Sequence, residues 1–98
     1  MYFITGIHVA YGVIPEKYTD QRCFGFYSNL ASATCAVETN KCDIFENYYK
    51  YMVVEDIGIG IHPTVVSEHW YMWDECIQKY VSTDRPSCVD NCCNFALG

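Results

Sequence analysis

Ser28 to Asn40, SNLASATCAVETN, is the stretch on which the fold turns. Leu30, Ala33, Ala36 and Val37 recur at the spacing of one helical face, while Asn29, Ser32 and Glu38 fall mostly elsewhere. Ser28 stands where an N-cap hydroxyl would accept an orphan amide proton of the first turn. The pattern predicts one helix, from Asn29 to Asn40, with an apolar stripe that must lie on something.

Outward from that helix the periodicity changes. Tyr2 to Ala10 is rich in β-branched and aromatic residues and reads as a strand, followed by a polar turn region around Gly12 and Pro15 to Asp20. Arg22 to Tyr27 reads as its hairpin partner across a loop of about ten residues. After the helix, a short turn around Asp43 to Asn47 leads into Tyr48–Gly58, YYKYMVVEDIG, whose two-residue alternation argues for a strand ending at Gly58. His69 to Asp74, HWYMWD, is a further β-prone run, with Cys76 to Val81 as its partner across a tight Asp74-Glu75 turn and Asp84-Arg85-Pro86 as the stop. One helix among hairpins is an α+β pattern: a mainly antiparallel sheet of about four or five strands with the helix on one face, in a single domain over residues 1–98.

Apolar residues make up 51% of the chain and aromatics 16%, which is ample for a packed core and argues against disorder. Twelve acidic residues against six Lys and Arg give a net charge of −6, and the cations are scattered singly. Nothing tracks a phosphate backbone, so direct nucleic-acid binding is excluded from the expected functions. The opening MYFITGIHVAYG lacks the basic and long apolar regions of a signal peptide, and no window reaches the roughly twenty apolar residues of a spanning helix. The expected setting is the cytoplasm, without a membrane. Thiols stay reduced there, and seven cysteines is an odd number for a disulfide framework.

Three of those cysteines fall in Ser87–Cys93, SCVDNCC. Pro86-Ser87 with Asp90 three residues on resembles an acidic capping box, which predicts a short C-terminal helix over Cys88 to Cys93. On it Cys88 and Cys92 would share a face, but a structural zinc wants four ligands, and Cys76, His69 and His62 would reach the site only through the fold. If there were a metal, the ligands would be Cys76, Cys88, Cys92 and His69. The commoner fate of such residues is as small buried thiols, and a reactive thiol is the third reading. No metal site is favoured and no cofactor is expected.

Acid–base chemistry could draw on His8, His62 or His69 with Asp56, Glu68 or Asp74, yet nothing in the sequence pairs them. A nucleophile elbow, a phosphate loop and a His-Glu-x-x-His helix are all absent, and Gly58 and Gly60 lack the third glycine and following helix of a dinucleotide site. No motif supports an enzyme. Acidic residues, Asp43, Glu46, Glu55, Asp56, Glu68, Asp74 and Glu75, form small groups at element ends. They would ordinarily be a solvated surface, but carboxylates beside aromatics such as Tyr48, Tyr49, Tyr51, Tyr71 and Trp73 would also suit a basic protein groove. The candidate binding set is Tyr49, Tyr51, Glu55, Asp56, Glu68, Trp73 and Asp74.

The succession GFYSNLASATCAVETNKCDIFENYYKYMVVEDIGIGI, HWYMWD and DRPSCVDNCCNFALG resembles a family of small proteins without assigned function from gut-type Gram-positive bacteria and their phages or mobile elements. Its shared features are a Gly-aromatic-aromatic-Ser segment before an alanine-bearing helix, Cys-Asp-Ile-aromatic-Glu before a Tyr-rich strand, an aromatic strand, and a close on an aromatic and glycine. The cysteines of SCVDNCC depart from that pattern. The resemblance implies a cytoplasmic accessory protein of a mobile element and transfers no catalytic residue. The expected function is a non-enzymatic module that binds a basic protein partner, as an inhibitor or modulator of a nucleic-acid-processing or defence machine. The alternatives are a nucleotide- or small-ligand-binding homo-oligomer that stacks a ring against aromatics near Arg22, Lys50 or Arg85, and a small zinc or thiol protein.

Overall fold

The computed structural model describes residues 1–10, 18–39, 49–58, 65–86, 88 and 95. Its elements are β1 (Tyr2–Val9), β2 (Tyr18–Tyr27), α1 (Leu30–Glu38), β3 (Tyr51–Ile57), β4 (Val65–Asp74) and β5 (Lys79–Thr83). The strands form one five-stranded sheet in the order β2-β1-β3-β4-β5, with every neighbouring pair antiparallel. β3, β4 and β5 are a plain meander, whereas β1 is inserted between β2 and β3, the strands that flank α1 in sequence. The result is an α+β fold, mainly sheet.

Side chains alternate across the strands and so define two faces. On the first, Ile4, Met52, Val54, Tyr71 and Tyr80 pack against Ala33, Ala36 and Val37 of α1, the stripe read from the sequence. On the second, Ile7, Val9, Tyr51, Val53 and Trp70 pack around Phe95, with Met72 and Cys88 at the margin. β3 is central and covered on both sides, so Tyr51 to Glu55 are buried without a break. A strand with two covered faces has no solvent side to advertise in its sequence.

Gly6 sits where two rings close over β1. A Cβ there would lie 2.8 Å from Tyr49 Cγ and 2.9 Å from Phe24 Cε2, atoms of an edge-on ring pair with centroids 5.5 Å apart. Gly6→Ala is therefore expected to destabilise the fold by about 1–3 kcal/mol through overpacking, read by denaturant titration. Unchanged or increased stability would show that the rings do not need the space. Phe24 reaches that position because the β1–β2 register slips between Ile4 and Thr5: Ile4 faces Gly25 and Thr5 faces Cys23, which leaves Phe24 as the extra residue of a bulge. Gly25, at φ +143°, supplies the conformation that other residues avoid.

Several boundaries differ from the sequence expectation. The helix runs from Leu30 to Glu38, and its cap is Asn29 rather than Ser28: the Asn29 carboxamide oxygen accepts the Ser32 amide proton at 2.8 Å. β2 begins at Tyr18, four residues before Arg22, because an outer strand tolerates polar residues on its solvent side. β5 begins at Lys79. The turn before it occupies Glu75 to Gln78 instead of Asp74-Glu75, with the Asp74 carboxylate accepting the Cys76 amide proton at 2.9 Å and Gln78 at φ 53°. Gln is an unusual occupant of that left-handed position, for which Gly or Asn is the usual signal. The expected turn at Asp43–Asn47 and the expected C-terminal helix, apart from Cys88, lie outside the described residues.

Candidate functional site

Tyr49, Tyr51 and Glu55, three of the seven candidate binding residues, are buried. Tyr49 belongs to the first face, and its carbonyl accepts the Tyr80 hydroxyl proton at 2.5 Å. Tyr51 belongs to the second, with the Lys50 ammonium 5.3 Å from its ring centre. Glu55, with no exposed surface, accepts the Phe95 amide proton with both carboxylate oxygens at 3.2 Å. The Gln21 carboxamide donates to the Phe95 carbonyl. Both backbone groups of residue 95 are thus held by side chains of the sheet, while its ring stands edge-on to Trp70 at 5.3 Å.

The other four are partly exposed and scattered. Asp56 lies late in β3, opposite Tyr2. Glu68 pairs in register with Glu55 but is neutralised locally, by an Arg85 ion pair at 2.7 Å and by the Trp70 indole N–H at 3.0 Å. The Arg85 guanidinium lies 5.8 Å from the Phe95 ring centre and 6.0 Å from that of Trp70. Trp73 packs edge-on to Tyr80 at 5.1 Å on the first face, its indole nitrogen buried without a hydrogen-bond partner among the described residues. Asp74 closes the β4–β5 turn. These seven residues do not share a surface; most of them hold the sheet to its covers.

The conditional metal ligands are also apart. Cys76 is exposed on the β4–β5 turn, His69 lies on β4 opposite Val54, Cys88 packs on the second face, and Cys92 is outside the described residues. Among the described residues no three His, Cys, Asp or Glu side chains are grouped to hold an ion. His8 pairs with Asp20 at 3.6 Å on the β1–β2 ladder.

The structure adds a cleft of about 510 Å³ between the C-terminal end of α1 and the β4–β5 hairpin. Tyr71, Tyr80, Glu38, Thr39, Ser82 and Ile77 line it, together with Lys79 and Val81 of β5. Burial, and then the negative charge of Glu38, raise the Tyr71 pKa above its ordinary value of 10.0, so its phenol is neutral at physiological pH. Ile77 is 55% exposed at the turn. One signal in the sequence bears on this place: CAVETN closes the helix with Glu38 and no Lys or Arg, leaving its negative end uncompensated.

No family model, curated protein or solved structure matches the chain. Among the described residues no helix is long and apolar enough to cross a membrane.

Proposed function

We propose that the chain is a non-enzymatic protein-binding module that engages a basic partner along β5. The observation that carries this is the margin of the sheet: among the described residues β5 is an outer strand, flanked by the cleft on its α1 side and preceded by the exposed Ile77. An outer strand presents backbone donors and acceptors that an extended partner segment can pair with, and neighbouring pockets then select its side chains. The net charge of −6 favours encounter with basic proteins. The resemblance noted in the sequence supports a cytoplasmic setting and a mobile-element origin, in which the module would occlude the basic groove of a nucleic-acid-processing or defence machine.

The test is capture from host lysate at physiological salt, with wild type and Ile77→Glu in parallel. A stoichiometric partner held by wild type and lost from Ile77→Glu is the expected result. A partner held equally by both, or salt-insensitive binding of naked DNA by the module itself, overturns the reading.

A nucleotide-binding reading draws on the tyrosine floor of the cleft, but the cations it would need are engaged elsewhere. Arg22 lies over Phe24, Lys50 over Tyr51 and Arg85 against Glu68. None of the three lines the cleft.

A further inference from the structure

We infer that the cleft between α1 and β5 is a binding site for a basic side chain, a lysine ammonium or arginine guanidinium, carried by a partner segment that lies along β5. The inference rests on the protein-binding reading and names the chemistry that the partner must bring. Glu38 lines the cleft, and the ion pairs among the described residues do not use it. Tyr71, only 7% exposed, lines the same cleft. A neutral phenol oxygen and a carboxylate together form an acceptor pair for N–H donors on a cation. The C-terminal end of α1 adds its partial negative charge, with no basic residue in the last turn to offset it.

Among the described residues Lys79 is the one cation that lines the cleft. It precedes Tyr80 in β5 and pairs in register with Asp74, so strand alternation sets it on the side opposite the Trp73–Tyr80 ring contact. The cleft volume of about 510 Å³ is in the range of sites that enclose small ligands and exceeds a single Lys or Arg side chain. The surplus suits the backbone on either side of it. Exposed Ile77 offers apolar surface to the methylene stem of such a side chain.

The experiment titrates the protein with an N-acetylated, C-amidated heptapeptide of alternating threonine and lysine, followed by calorimetry and by chemical-shift changes at Tyr71 and Glu38. The same peptide with every lysine acetylated is the comparison. Loss of the charge, or Glu38→Gln, is expected to weaken binding about tenfold, and Tyr71→Phe by a smaller factor. Glu75→Gln, which removes an exposed carboxylate of the β4–β5 turn outside the cleft, is expected to leave the affinity unchanged. Equal binding of the acetylated peptide, equal effects of Glu38→Gln and Glu75→Gln, or no binding of the lysine peptide overturns the inference. Ile77-dependent capture from lysate with no response to the lysine peptide would leave the protein-binding reading standing and remove this one. A lysine peptide that binds through Glu38, with no Ile77-dependent partner in lysate, would do the reverse.

Discussion

Phe95→Ala is expected to remove about 3–5 kcal/mol of stability, the range for losing a fully buried aromatic side chain. Phe95 is 1% exposed and is the centre of the second-face cluster, touching Trp70 edge-on and lying beneath the Arg85 guanidinium. For a domain of this size such a loss is a large share of a total stability of about 5–15 kcal/mol, and it would lower Tm by about 15 °C or more. Thermal unfolding followed by the fluorescence of Trp70 and Trp73 together reads the stability. A loss below about 1 kcal/mol would mean that the second face is closed by other parts of the chain.

Glu55→Ala is expected to cost about 2–4 kcal/mol, and the sign needs an argument because removing a buried carboxyl group also relieves a desolvation penalty. The relief is outweighed where the partners of that group stay behind. Without Glu55 the buried Phe95 N–H loses both of its acceptors, and the vacated volume lies in a strand with no solvent side. Glu55→Gln keeps the volume and one acceptor oxygen, so it is expected to lose less than half as much. Because Glu55 and Phe95 are in direct contact, the double substitution should fall well short of additivity. Additive losses in denaturant titration, or a Glu55→Ala protein as stable as wild type, would contradict the coupling.

The helix was legible because Leu30, Ala33, Ala36 and Val37 carry a local period, and a local period survives whatever the rest of the chain does. The strand-prone runs were legible for the same reason. Their edges were not: the start of β2 at Tyr18 and of β5 at Lys79 depends on pairing partners, and Gln78 adopts a turn conformation that its side chain does not announce. Burial was the part of the candidate set that the sequence did not announce. Tyr49, Tyr51 and Glu55 read as an acidic, aromatic surface because alternation suggests that every second residue meets water. Here α1 takes one face and Phe95 the other, and Glu55 is made tolerable by a backbone amide supplied from far along the chain. No spacing rule within VVED contains that information. Only Glu38, at an uncompensated helix end, hinted at the cleft.

The position of β1 between β2 and β3 has a consequence for the time course of folding. β3, β4 and β5 adjoin in sequence and can zip together early, as can β1 with β2. Joining the two pieces requires Ile7 to meet Tyr51, closing a loop of roughly 45 residues that contains β2 and α1. Sheets that depend on such closures fold slowly compared with helical bundles. Until that closure, the strand that finishes most deeply buried has a bare edge and two apolar faces. The greatest hazard of association before folding is complete therefore lies at β3, the middle of the finished sheet, rather than at either of its final margins.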